Sequence, residues 1–183
     1  MFYSLASETS DVCSWLEHTN PSDIHNKAVA DYEKGTGDWI TRTPEWKNWM
    51  NSTNRCLWVH GIPGAGKTAL ASYAIREVIR TLKESGDINP ICAYYYCHHA
   101  HNQDEATPVL RWIVSQLCRA AAKIPEPLYE AHRLRRLPSI NELFEHLGSI
   151  LGHFSTVYIP HCIVEHGPPE AVSNNVDILW GDA

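Results

Sequence analysis

Residues Gly61, Ile62, Pro63, Gly64, Ala65, Gly66, Lys67 and Thr68 run consecutively as a complete G-x-x-x-x-G-K-[ST] pattern. No other segment limits the possible folds so tightly. The pattern carries meaning only between a strand and a helix, and both flanks qualify. Residues 56–60 (Cys-Leu-Trp-Val-His) are a short apolar run that suits a buried strand. After the loop, Ala71, Ala74, Ile75, Val78, Ile79 and Leu82 recur at the spacing of one helix face. Glycines at 64 and 66 tolerate positive φ and leave no side chain between backbone and ligand. The N–H groups of residues 64–68 then face an anion at the positive end of the helix. Lys67 supplies a charge for the β and γ oxygens, and the Thr68 hydroxyl suits a magnesium ion. The expected phosphate-binding set is Gly61, Gly64, Ala65, Gly66, Lys67 and Thr68, with Thr68 on Mg2+ and ATP or GTP as the nucleotide.

The bulk numbers narrow the class. At 183 residues and 44% hydrophobic content, with seven Trp, the chain can bury one sizeable core. A net charge of −6 and a pI near 6.0 argue against duplex nucleic acid as partner. Six Cys without framework spacing, no secretory h-region and no membrane-length apolar run lead to the expectation of a cytoplasmic protein with reduced thiols.

Before the loop, the sequence reads as short helices: 12–18, then one capped at Ser22 or Asp23 and ended by Gly35-Thr36-Gly37, then 45–50 with Pro44 in its first turn. Trp46 and Trp49 share one side of the last and are expected in the core. After the loop helix, 91–97 reads as a strand covered on both faces. A helix from Thr107 carries Leu110, Ile113, Val114, Leu117 and Ala121 on one stripe, and Leu128 to Arg136 forms a short helix. Ser139-Ile140-Asn141-Glu142 is a capping box opening a helix whose inward residues are Leu143, Phe144, Leu147, Ile150 and Leu151. A strand starts at Thr156. The expected fold is α/β: an incomplete three-layer P-loop NTPase with a parallel sheet, preceded by short N-terminal helices. The expected divisions are a helical segment at 1–54, a partial nucleotide domain at 55–159, and an irregular tail at 160–183 that starts where Pro160 removes a ladder donor.

Other constellations are weaker. Cys92, Cys97, His98, His99 and His101 lie close together, but alternate residues of a strand face opposite ways and do not converge on a metal. Arg133, Arg135 and Arg136 read as a solvated helix end. The acidic strand that an NTPase uses for magnesium and water is missing where it is expected: Pro160, His161 and Cys162 follow Ile159, and only Glu165 and Glu170 supply acids before Val176. Hydrolysis is therefore expected to be poor, and no residue is assigned as catalytic.

Residues 58–68 resemble the nucleotide-binding loop of NACHT domains in fungal NOD-like receptor (STAND) proteins, in the group with a nephrocystin-type N-terminal domain. Trp15-Leu16, Asn26-Lys27-Ala28, Gly35 to Trp39, the aromatic strand 93–97 and the helix 109–118 also match in order and spacing. The resemblance spans about residues 12 to 159. It implies a signalling switch, with Gly35 to Trp39 near the adenine pocket and homo-oligomers or full-length NACHT relatives as partners. The departure at residue 160 implies truncation before the acidic strand, which leaves the strand at 56–60 without its central neighbour. Two other readings fit the loop less well: a small P-loop kinase or NTPase, and an interaction fragment with no nucleotide role.

Overall fold

The computed structural model describes residues 2–3, 6–17, 20, 22–51, 58–60, 64–98, 106–164 and 177–179, with backbone alone at 2, 3, 6, 58–60, 97, 98, 161–164 and 177–179. Seven α-helices are described: α1 (Ala6–Leu16), α2 (Ser22–Ala30), α3 (Pro44–Asn51), α4 (Lys67–Glu84), α5 (Ala106–Ala121), α6 (Glu126–Arg133) and α7 (Ile140–Leu151). The strands are β1 (Phe2–Tyr3), β2 (Trp58–His60), β3 (Pro90–Cys92), β4 (Tyr95–His98), β5 (Ile124–Pro125), β6 (Thr156–Tyr158), β7 (His161–Val164) and β8 (Asp177–Leu179). The fold is α/β and mostly helical.

Its centre is a parallel pairing of β3 with β6 and of β4 with β7. The two pairings share one offset, with Cys92 opposite Tyr158 and Tyr95 opposite His161. They form one long ladder interrupted once. Across the interruption the Ala93 N–H donates to the Tyr158 carbonyl at 2.9 Å, and the Tyr95 N–H donates to the Pro160 carbonyl at 3.3 Å. Pro160 therefore keeps its acceptor in the ladder and withholds only a donor. This corrects the expectation that the pattern collapses at residue 160: pairing resumes at His161 and runs to Val164.

Side chains on this ladder alternate between two cores, as a period of two demands. Ile91, Ala93, Tyr95 and Val157 join the cluster of α1, α5 and α7, whose buried members include Val12, Leu16, Ile113, Leu117, Leu143 and Ile150. Cys92 and Tyr158 join the other cluster, with Trp46 and Trp49 of α3 and Leu70, Tyr73 and Val78 of α4. Helices thus cover both faces. The Tyr158 hydroxyl donates to the Met50 carbonyl at 2.7 Å, and the Trp49 ring meets Tyr158 edge-on at 5.6 Å. Trp46 and Trp49 are core residues, as their spacing predicted.

The other edge of the β3–β4 segment is capped by side chains. Gln116 accepts from the Tyr94 N–H at 3.2 Å, and the Tyr94 carbonyl accepts from Gln116 Nε2 at 2.8 Å and Trp112 Nε1 at 2.9 Å. These bonds occupy a backbone edge that otherwise invites pairing with another chain.

Two further expectations change. The loop strand β2 has a neighbour, because β8 pairs with it antiparallel, His60 opposite Asp177. The tail is therefore not wholly irregular, although 165–176 and 180–183 lie outside the described residues. Phe144 is 56% exposed rather than inward. The i to i+4 stripe of α7 is narrower than its apolar content suggests.

Helix ends follow from local chemistry. Thr43 Oγ1 accepts the Trp46 N–H at 3.2 Å ahead of α3. Ahead of α7 the capping box forms as read, Ser139 and Glu142 bonding reciprocally. Arg136 also grips the Glu142 carboxylate at 2.7 and 2.9 Å. With the cap, this pushes the Glu142 pKa down to about 2. Helices α5 and α6 end in Schellman-type turns. The Lys123 N–H reaches the Cys118 carbonyl, and the Arg136 N–H reaches Ala131. The left-handed positions of these turns hold Ala122 (φ 50°) and Arg135 (φ 51°), where glycine is the usual residue.

Candidate functional site

Helix α4 begins directly after the glycine loop, and, like α5, it has no acid in its first turn. Glu8, Asp23, Glu45, Glu126 and Glu142 stand in the first turns of α1, α2, α3, α6 and α7, where acids offset the positive helix end. The first turn of α4 has no acid, and its N-cap Gly66 makes no side-chain cap bond. The first turn of α4 thus brings no acid of its own to the positive helix end. Gly64 and Gly66 both adopt φ +82°, and a Cβ built at either meets none of the described residues within 4 Å. The backbone here turns as only glycine does readily.

Lys67 is the first residue of α4 and only 8% exposed. A lysine so buried is uncommon, and its charge acts on a nearby anion through less water than a surface ammonium would. Thr68 and Ala65 are half-buried. Gly61, with Ile62 and Pro63, lies outside the described residues. Of the six residues read as the phosphate set, Gly64, Ala65, Gly66, Lys67 and Thr68 are thus consecutive at one helix start.

The segment expected near a nucleotide base packs against the same helix. Gly35 is left-handed at φ +90°, and Gly37 lies so close to Tyr73 of α4 that a Cβ there would come within 2.8 Å of the ring. The Gly37 N–H donates to the Tyr32 hydroxyl at 3.2 Å, and Tyr32 stacks on Tyr73 at 5.3 Å. The Arg76 guanidinium sits over the Tyr32 ring at 4.8 Å. Tyr73 is six residues from Lys67, roughly 9 Å along the helix at 1.5 Å per residue. Trp39, 40% exposed, ends this segment with an available ring. The Tyr32, Tyr73 and Arg76 stack was not singled out from the sequence; Tyr73 and Arg76 are i, i+3 neighbours on α4, but Tyr32 joins them only in the folded chain.

Helix α2 is fastened to the sheet by His25, whose Nδ1 shares a hydrogen bond with the Tyr96 hydroxyl at 2.9 Å. Its ring also lies 4.6 Å from Tyr94. Burial, and then the nearby Arg76 charge, lower the His25 pKa below 6.5. The folded state holds this imidazole neutral, while the unfolded chain takes up a proton near the ordinary value. Its contribution is complete above about pH 6.5 and is lost as pH falls below that. We expect the melting temperature to drop between pH 7.5 and 5.5. His25→Gln should reduce that drop, and an identical pH response in the variant would contradict the assignment.

Of the other candidates, Cys97 and His98 are described by backbone alone. No group of three or more His, Cys, Asp or Glu among the described residues converges as a metal site. His99 and His101 lie outside them. Burial pushes the Cys92 thiol up to about 12, so it is inert at neutral pH. Cys13, Cys92 and Cys118 are free thiols. Arg133 pairs with Glu130, and Arg136 pairs with Glu142. The segment where an acidic strand is sought is β7, and His161–Val164 contains no Asp or Glu. Glu165 follows it, outside the described residues. No described helix is long and apolar enough to cross a membrane.

Residues 35–164 match the family described as nephrocystin 3, N-terminal, which is well over half of the chain. The match begins at Gly35 and ends with the last residue of β7, beyond the boundary at Ile159 that the sequence suggested. No curated protein and no solved structure matches the chain.

Proposed function

We infer that this chain, which belongs to the nephrocystin 3 N-terminal family, is a nucleotide-phosphate-binding module of the NACHT-type switch class. The observation that carries this reading is the start of α4. Two left-handed glycines stand there with no described residue against them, the first turn of α4 has no acid and Gly66 no side-chain cap bond, and Lys67 is buried beside them. A helix start of this kind, with its N–H groups at the positive pole, suits an anion. A nucleoside triphosphate fits best, because Lys67 and Thr68 follow the glycines in the order that serves the β and γ phosphates and a magnesium ion. Residues 35–39, held on α4 through Tyr73, form the base side of the same site, with Trp39 as a stacking surface. Magnesium, when bound, would neutralise phosphate charge, and Thr68 is the residue here suited to hold it.

In this reading the module binds nucleotide and turns it over slowly, because β7 brings no carboxylate of its own to the phosphate end of the sheet. Occupancy, rather than chemistry, is its output, and homo-oligomers or full-length NACHT relatives are the partners that occupancy would control. A magnesium-ATP assay tests this alongside fluorescent-nucleotide binding. Saturable binding is expected, with phosphate release no faster than in Lys67→Ala. Rapid release that Glu165→Gln abolishes would overturn the slow-turnover reading and make Glu165 the missing acid.

A further inference from the structure

Four of the seven exposed large hydrophobic side chains among the described residues fall between positions 134 and 144. Leu134 is 72% exposed and Phe144 56%, with Leu137 and Ile140 exposed between them. Single exposed apolar residues are ordinary, but a cluster of them marks a contact surface. Ile140 and Phe144 stand four residues apart on the outer face of α7. Leu134 and Leu137 belong to the turn that delivers the chain to that helix.

This surface is fixed before it meets anything. Leu137 lies between Arg136 and Ser139, and both of these bond the Glu142 carboxylate, which holds the turn at the start of α7. On the inward side Leu143 and Ile150 are fully buried, so α7 cannot rotate to hide Phe144 without opening the core. A preorganised surface loses little conformational entropy on docking.

The charges around the stripe indicate what covers it. Arg135 precedes the stripe and Glu145 follows Phe144, and both are exposed. Neither joins a salt bridge among the described residues, whereas Arg133 is held by Glu130 and Arg136 by Glu142. Unpaired opposite charges at the two ends of one apolar stripe make the surface complementary to itself turned end for end, the pattern of an isologous pair. Gly148, four residues beyond Phe144, adds no side chain, and a Cβ there would meet no described residue within 4 Å.

We propose that this face joins two copies of the chain in an antiparallel pair, with the two-fold axis between Ile140 and Phe144. Ile140 of each copy packs on Phe144 of the other, and Leu137 enters the space beside Gly148. Arg135 pairs with Glu145 in both directions. The pair supplies a surface for the homo-oligomers of the reading above, and rests on that reading only for what pairing would control. Helix α7 has 12 residues, which at 1.5 Å per residue is roughly 18 Å. Such a strip is smaller than the roughly 800 Å² per partner of a standard interface. Pairing is therefore weak and reversible, with a dissociation constant on the order of 10–100 μM.

Sedimentation velocity of the full chain without nucleotide tests the proposal, over about 5 to 300 μM, where mass action populates so weak a dimer. The weight-average sedimentation coefficient should rise from the monomer value toward that of a dimer. Arg135→Glu and Glu145→Arg each set like charges together twice and should weaken pairing about tenfold. The double variant restores both pairs and should return close to the wild-type dissociation constant. Phe144→Ser should weaken pairing about tenfold or more, with little change in melting temperature because the ring is exposed. A chain that stays monomeric throughout would overturn the proposal, and its sedimentation with phosphatidylserine vesicles would assign the face to a lipid surface instead. Association unchanged by Phe144→Ser, or a double variant no better than the singles, would overturn it equally. Nucleotide binding by a monomeric chain would leave the reading of α4 standing, so the two can fail separately.

Discussion

Lys67→Ala is expected to weaken magnesium-ATP binding by at least about 100-fold, because it removes the buried cation from beside the phosphates. Truncating one partner of a buried, hydrogen-bonded charge pair costs roughly 2–5 kcal/mol, and about 1.4 kcal/mol is a factor of ten. The site has no second lysine or arginine in the first turn of α4 to compensate. The fold should survive, since Lys67 belongs to neither hydrophobic cluster and alanine is a strong helix former. Equal melting temperatures with unequal affinities would separate a ligand role from a structural one. Equal affinity in the two proteins would remove Lys67 from the site.

Leu117→Ala should have the largest effect on stability. Leu117 is fully buried in the cluster that joins α1, α5, α7 and the ladder. Removing such a side chain costs about 2–5 kcal/mol, part of it for the cavity left behind. Native domains hold only about 5–15 kcal/mol in total. The urea midpoint should therefore fall steeply with little change in slope. A shift below about 0.5 kcal/mol would show that this cluster is not the main core.

The sequence was most legible where one physical rule acts alone. Helical periodicity located α4, α5 and α7, and the Ser139–Glu142 capping box formed as read. The glycine loop announced its backbone conformation, and Gly64 and Gly66 have it. Legibility failed where tertiary context overrode a local rule. Proline normally ends a strand in a sheet, but Pro160 sits where its carbonyl is used and the ladder continues to Val164. Phe144 looked apolar enough for the core, yet α7 had already filled its inward stripe with Leu143 and Ile150. The antiparallel pairing of β8 with β2 joins segments more than a hundred residues apart, and nothing in the spacing around Asp177 signals it.

The central claim is that the start of α4 is an anion site addressed by backbone amides. Its most direct test is an amide NMR titration with magnesium-ATP, and with inorganic pyrophosphate as the probe that lacks a base. The account predicts saturable shifts at the N–H groups of Gly64, Ala65, Gly66, Lys67 and Thr68 with either ligand, with Trp39 responding to ATP alone. Saturating ATP that leaves those five amides unmoved would contradict it.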